Sequence, residues 1–267
     1  MSASKNTIKL RELFKEISSQ VNLRGILGVT PYKQVYESLL ETQKARLVEI
    51  TSVQHDEFME QGNFISFAYV YPDGVIDNIG LIKEGIFDKE SWNIYAKWYA
   101  YMNDSLDITS TKIADNLNGV PIKATSSGMA LQVDSVSQYF PLVVSHRVHA
   151  ELSDIGWRGK NSLIVNPIYS CMIRLAGLVS IVSLHKTKKR VEGCGACDSC
   201  FEVCTFLKYQ EKLDDYREQC LLYMNSLDLD EEVCGKCVKA CAYSPKFVSP
   251  KKLPSEYEMN DLFYTLP

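Results

Sequence analysis

Eight of the nine cysteines in this 267-residue chain fall between positions 194 and 241, and their spacing leaves little freedom for what surrounds them. The first run reads Cys194-Gly-Ala-Cys197-Asp-Ser-Cys200-Phe-Glu-Val-Cys204. The second reads Cys234-Gly-Lys-Cys237-Val-Lys-Ala-Cys241, and Cys220 stands alone between them. Two intervening residues let a chain wrap one corner of a compact centre, presenting successive sulfurs while backbone N–H groups point inward. Three residues before the last cysteine of a run begin a helical turn that carries its sulfur elsewhere. The N-terminus lacks an apolar secretion core and the longest apolar stretch, near Leu175–Leu184, is too short for a bilayer. A reducing, cytoplasmic setting without a membrane partner is therefore expected, where an odd set of thiols is read as metal ligands rather than disulfides.

The first run has the C-x2-C-x2-C-x3-C spacing of bacterial ferredoxins, in which three cysteines hold one cluster and the fourth ligates the other. It predicts two 4Fe-4S clusters. Cys194, Cys197, Cys200 and Cys241 are assigned to one, and Cys204, Cys220, Cys234 and Cys237 to the other. Crossing the ligands in this way ties the runs together and brings the clusters within electron-exchange range. Two structural zinc ions are the competing reading, but zinc ribbons do not need the third and fourth cysteines of the first run. Thr205 and Ala242 stand where ferredoxin-type runs usually carry proline. Cys171, in an apolar run, is left over and read as a small core residue.

Upstream of the cysteines the hydrophobic pattern predicts alternating helices and strands. Helices are expected over the first twenty residues, from Tyr32 to Leu47, from Glu90 to Asn116 and from Pro141 to Leu152. Strands are expected at Asn63–Tyr71, Met129–Val133, Ser162–Val165 and Cys171–Leu184. This predicts an α/β or α+β layered fold. The basic run Lys186, Lys188, Lys189, Arg190 marks a change of composition. It divides the chain into a main domain, 1–187, and a small ferredoxin-like domain, 188–267. His146 and His149, three apart on one helix face, are read as surface or capped histidines that could approach a ligand. Tyr139, Tyr169 and Arg174 are further residues that could line a pocket.

The segment Ile155-Gly-Trp-Arg-Gly-Lys-Asn-Ser-Leu-Ile-Val-Asn-Pro167 resembles the G-[WF]-x-G-K-N segment of the epoxyqueuosine reductases, cobalamin-dependent iron–sulfur enzymes related to the reductive dehalogenases. Gly28-Val-Thr-Pro31 looks like their early glycine turn, Glu151 matches a helix acid, and the order of the cysteines, with Cys220 isolated, is also similar. The resemblance implies a nitroreductase-like three-layer core that cradles a corrinoid fed with electrons by the clusters. It implies Gly156, Trp157, Gly159, Lys160 and Asn161 as cofactor-binding residues. It also implies Asp134, in Val133-Asp134-Ser135, as the general acid; its structural alternative is a cap for the following helix. A flavin in the same fold is the alternative cofactor.

The chain departs from that pattern in three places. The interval from Asp134 to Gly156 is several residues longer, Asp154 replaces the first glycine of G-x-G-W, and only a short tail follows Cys241. The main expectation is therefore a cobalamin-dependent iron–sulfur reductase acting on a small-molecule or nucleoside substrate, with ferredoxin or flavodoxin as external donor. An electron-transfer or corrinoid-handling protein is the first alternative, and a tRNA epoxyqueuosine reductase a further one. The formal net charge is -4. Acids crowd the cysteines: Asp198, Glu202, Glu211, Asp214, Asp215, Glu218, Asp228, Asp230, Glu231 and Glu232. They are read as a solvated surface or as charge that tunes a cluster potential, and the acidic balance weighs against tRNA as a partner.

Overall fold

The computed structural model describes residues 2–125, 133–188, 193–213 and 215–247. Its centre is a four-stranded sheet in the order β1 (Gly25–Pro31), β2 (Asn63–Val70), β8 (Ile173–Ser180), β5 (Val120–Ile122), with every neighbouring pair antiparallel. The sheet is buried on both faces, so its strands read as apolar runs rather than alternating ones. Alternate residues of β2 nevertheless serve different layers. Ile65, Phe67 and Tyr69 join α1 (Ala3–Gln20) and α5 (Lys89–Asn116) in one core, with Leu10, Phe14, Trp92 and Ile113. Phe64 faces the opposite layer with Tyr32, Val35, Leu47 and Phe58, from α2 (Tyr32–Ser38), α3 (Glu41–Thr51) and α4 (His55–Gln61). Ala68 and Val70 meet Ala150 of α7 (His146–Leu152) on that side. Helix, sheet and helix make the three expected layers.

Several expected boundaries move. The helix expected from Tyr32 to Leu47 is two, because Leu39 and Leu40 are extended between α2 and α3. Gly28–Pro31 lies inside strand β1 and forms no turn. Glycine is needed at 28 for packing: a Cβ there would stand 2.2 Å from the Ser153 carbonyl oxygen at the end of α7. Pro141 belongs to a 3-10 turn, Phe140–Leu142, and the helix begins only at His146. The expected strand at Met129–Val133 falls almost wholly outside the described residues. Two short hairpins complete the main layers: β3 (Ile82–Lys83) with β4 (Ile86–Phe87), and β6 (Trp157–Arg158) with β7 (Ile164–Val165).

The cysteine-rich segment adds α6 (Val136–Tyr139) as a neighbour and four helices of its own: α8 (Ser199–Val203), α9 (Thr205–Lys208), α10 (Tyr216–Ser226) and α11 (Lys236–Ala242). Val233, Val238, Ala242 and Phe247 share the apolar core of Trp92 and Tyr95. Trp92 Nε1 donates to the Cys234 carbonyl at 2.8 Å, and Lys239 Nζ reaches the Asp77 and Ile79 carbonyls at 2.9 and 2.8 Å. Among the described residues no helix is long and apolar enough to cross a membrane.

Candidate active site

The cysteine runs are positioned by short helices with defined starts. The Asp215 carboxylate caps α10 by accepting from the Arg217 and Glu218 amides at 2.9 and 3.3 Å. Gly235, with φ +76°, turns the chain from Cys234 into α11. A Cβ on it would meet Tyr95 at 2.7 Å.

The eight thiols fall into two groups by their mutual electrostatic influence. Burial pushes Cys200 up to about 11, and Cys241, Cys194 and Cys197 push in the same direction. Burial likewise raises Cys220 to about 11, with Cys234 and Cys204 adding to it. Cys237 is raised by burial and by Cys234, Cys220, Cys204 and, more weakly, Cys200. Cys200 and Cys237 are thus where the groups adjoin. Among the described residues no three cysteine, histidine or carboxylate side chains converge on a single ion. A buried thiol lacking a cation resists ionisation, so this donor set suits a positively charged partner.

Cys171 is more than filler. Its Sγ lies 3.9 Å from the Cys237 and Val238 carbonyls, and its thiol donates to the Cys241 sulfur, the first cause of the lowered Cys241 and the raised Cys171. Asn161 Nδ2 stands 3.6 Å from Cys171 Sγ. Nothing in the position of Cys171 within an apolar run signals this neighbour, because the contact joins residues 70 apart in the chain.

The G-W-x-G-K-N segment splits in two. Trp157 Nε1 points at Cys194 Sγ, 3.5 Å away, and Lys160 is hydrogen-bonded to Asp198. Both side chains therefore brace the Cys194–Asp198 loop. Gly156 and Gly159 permit close backbone packing: a Cβ at 156 would stand 2.3 Å from the Val165 carbonyl, and one at 159 would stand 2.7 Å from the Val165 side chain. Asn161 alone of the five lines the cavity described below. Asp154 holds φ +61°, the left-handed backbone that explains a glycine at this point of the G-x-G-W pattern. Aspartate tolerates that conformation better than most residues. Glu151 pairs with Arg158 at 3.4 Å.

A cavity of about 580 Å³ opens between the main layers and the cysteine segment. Tyr71, Tyr95, Tyr99 and Tyr139 give it an aromatic lining, and Cys204, Cys220, Cys234 and Cys237 border it as well. Arg174 lines it, as does His146; Tyr169 does not and is buried under Ile26 and Ile164 instead. His146 and His149 are not surface histidines. They bond to each other, and burial lowers both, His146 to about 4. Asp134 is exposed and lies outside the cavity lining, between Val133 and Val136, which do line it. It caps no helix: Ser135 accepts from the Gln138 amide in that role, while the Asp134 amide donates to Gln138 Oε1 at 2.8 Å.

A three-layer antiparallel core, with a cysteine-rich segment bordering an aromatic cavity, defines the class: a layered α/β scaffold joined to a cysteine-rich segment. Known proteins narrow it. No established family profile matches the chain. The epoxyqueuosine reductase of Listeria monocytogenes is 24% identical over 248 residues, covering 82% of this chain and 60% of that protein. That of Bacillus cereus is 22% identical over 192 residues, covering 67% and 46%. The chain spans about half the length of these curated relatives. A crystal structure of a selenomethionine-labelled epoxyqueuosine reductase superimposes over 97% of this chain and 69% of its own, with TM-score 0.52 and 15% identity. The fold is therefore the α/β fold expected, and the resemblance read from the cysteine order and the G-W-x-G-K-N segment is borne out as epoxyqueuosine reductase-like. One expectation is overturned. The relatives are named epoxyqueuosine reductases, and one epoxyqueuosine reductase structure holds an epoxyqueuosine-modified tRNA-Tyr stem loop, at TM-score 0.42 and 17% identity. The argument against tRNA from net charge fails because a formal total says nothing about where the cations lie.

Proposed function

We propose that this chain is an iron–sulfur reductase of the epoxyqueuosine type, removing the epoxide oxygen from a modified nucleoside presented on tRNA. Two electrons and two protons convert the epoxide to the deoxygenated ring and water. The observation that carries this reading is the cavity itself: thiols of one group border the same chamber as the aromatic side chains of the main layers.

In this reading residues 1–187 hold the cavity and 188–267 carry the clusters, with Cys194, Cys197, Cys200 and Cys241 on one and Cys204, Cys220, Cys234 and Cys237 on the other. An external ferredoxin or flavodoxin supplies electrons. The aromatic lining and the apolar Ile173 and Leu175 suit the flat face of a corrinoid, and Asn161, Ser162 and Arg174 would hold its polar rim. Among the described lining residues the one imidazole, His146, is hydrogen-bonded to His149. Bound there, the corrinoid supplies a low-valent metal centre for the reduction. Asp134 is the proposed proton donor. It stands on the Val133–Val136 rim and must turn inward to act.

The test uses anaerobically cluster-reconstituted protein, cob(II)alamin and a stem-loop RNA carrying epoxyqueuosine. Mass spectrometry should show loss of one oxygen from the nucleoside, and Asp134→Asn should abolish turnover while cobalamin and RNA still bind. A wild-type protein that binds cobalamin and holds both clusters yet leaves the RNA unchanged would falsify the substrate. One that fails to bind cobalamin but deoxygenates with added flavin would replace the corrinoid.

A further inference from the structure

The cavity carries more positive charge than its thiols account for. Arg147, Arg174, Arg217 and Lys236 line it, against a single carboxylate, Glu232, among the described lining residues. Lys236 is explained by the cysteine side: it donates to Tyr223 Oη at 2.6 Å and acts electrostatically on Cys234. Arg174 is not explained that way. It is absent from the charges acting on the shifted thiols, and its surroundings are phenols: Tyr99, Tyr71, Tyr95 and Tyr139.

Arg174 is also held as a fixed instrument. Its guanidinium lies 3.9 Å from the Tyr99 ring centroid, and Nε and Nη2 both donate to Asn103 Oδ1, at 3.1 and 2.7 Å. Nη2 also reaches the Thr125 carbonyl at 3.4 Å. All these acceptors are neutral, and Nη1 makes no hydrogen bond to a described residue. No carboxylate pairs with Arg174, Arg147 or Arg217 among the described residues. Arg147 is similarly placed. Its Nη1 donates to the Ser162 carbonyl at 3.0 Å, and both arginines act on Tyr139 between them.

Burying a guanidinium without a counter-charge costs several kcal/mol, so such a group on a cavity wall implies a ligand that supplies the charge. The planar fork matches a phosphate oxygen pair better than any point cation does. We propose that Arg174 and Arg147 form a phosphate-recognition subsite in this cavity, taking the phosphodiester of a nucleotide-bearing ligand. The inference deepens the functional reading above, since that ligand is either the RNA backbone beside the modified nucleoside or the nucleotide loop of a cobalamin.

The experiment uses reconstituted full-length protein with both clusters and begins with inorganic phosphate, a probe independent of that reading. Calorimetric titration should show phosphate binding to wild type, weakened about tenfold or more in Arg174→Met and partly recovered in Arg174→Lys. Cluster absorbance and potentials should be unchanged in both. The same variants are then titrated with stem-loop RNA, and with cobalamin against cobinamide, which lacks the phosphate. A parallel loss for RNA assigns the phosphodiester to the nucleic acid. Loss of the preference for cobalamin over cobinamide assigns it to the cofactor. Phosphate binding that depends on Arg174, in a protein that binds neither RNA nor corrinoid, would uphold the subsite while the functional reading fails. Equal phosphate affinity in wild type, Arg174→Met and Arg174→Lys, or none in wild type, overturns the subsite. So would variants that shift cluster potentials and leave all binding intact, since the arginines would then serve the clusters.

Discussion

His146 Nδ1 lies 2.9 Å from His149 Nε2, and the second ring continues to Ser66 Oγ at 2.8 Å, so two imidazoles and a hydroxyl link α7 to the central strand β2. His149 is fully buried and stacks on Phe64 with centroids 4.4 Å apart. A shared proton between the rings leaves room for no second charge.

This pair makes stability depend on pH. Burial lowers His149 well below 6.5 and His146 to about 4. The unfolded chain therefore binds protons that the folded one refuses between pH 6.5 and about 4. Stability is complete above 6.5 and falls with pH through that window, by up to about 1.4 kcal/mol per pH unit for each ring. Denaturant melts of wild type and His146→Gln at pH 7.5, 6 and 5 measure the difference. The variant should lose less stability on acidification, and equal slopes would show that the pair carries no such linkage.

Cys171 should tune without ligating. Cys171→Ala should keep the iron content of wild type, whereas Cys241→Ala should lose iron. Removing the S–H donor to the Cys241 sulfur should shift one cluster to a more negative potential, because hydrogen bonds to ligand sulfurs favour the reduced state. Iron analysis and EPR-monitored redox titration read both outcomes. Half the iron gone in Cys171→Ala would make it a ligand instead.

Gly235→Ala should be severe. The alanine would sit at φ +76° with its methyl 2.7 Å from Tyr95 and 2.8 Å from Ile79. Left-handed strain costs about 1–2 kcal/mol and overpacking about 1–3 kcal/mol. The damage falls between Cys234 and Cys237, so reconstituted iron should drop together with the melting temperature. Full iron loading with unchanged melting would contradict the clash.

Asp154 offers a gentler probe of the same backbone rule. Asp154→Gly should keep cluster content and change stability by less than about 1 kcal/mol, while Asp154→Ala should cost about 1 kcal/mol through its left-handed backbone. Paired thermal melts distinguish the two. An alanine variant as stable as the glycine one would remove the conformational explanation.

How much of this was legible beforehand follows the range of the interactions involved. The long helix α5 and strand β2 announce themselves, since apolar periodicity and the flanking Gly62 and Pro72 are local signals. The break between α2 and α3 is not, because Leu39 and Leu40 continue a helical pattern, yet only Leu39 is buried and Leu40 faces solvent. The cysteine order points to clusters because ligand spacing is itself local geometry. Trp157 and Lys160 are marked as a motif, yet their targets, Cys194 and Asp198, lie almost forty residues on, and no pattern near residue 160 names them. Arg174 is visible only as a charge in an apolar strand. That no carboxylate of the described residues pairs with it is a property of the surrounding shell, which only the folded chain displays.

The sharing of one apolar core by Val238, Phe247, Trp92 and Tyr95 has a consequence for damage. The segment that would carry the clusters is also a wall of the chamber. Substitutions that loosen that shared core would therefore disturb the thiol geometry and the chamber lining together.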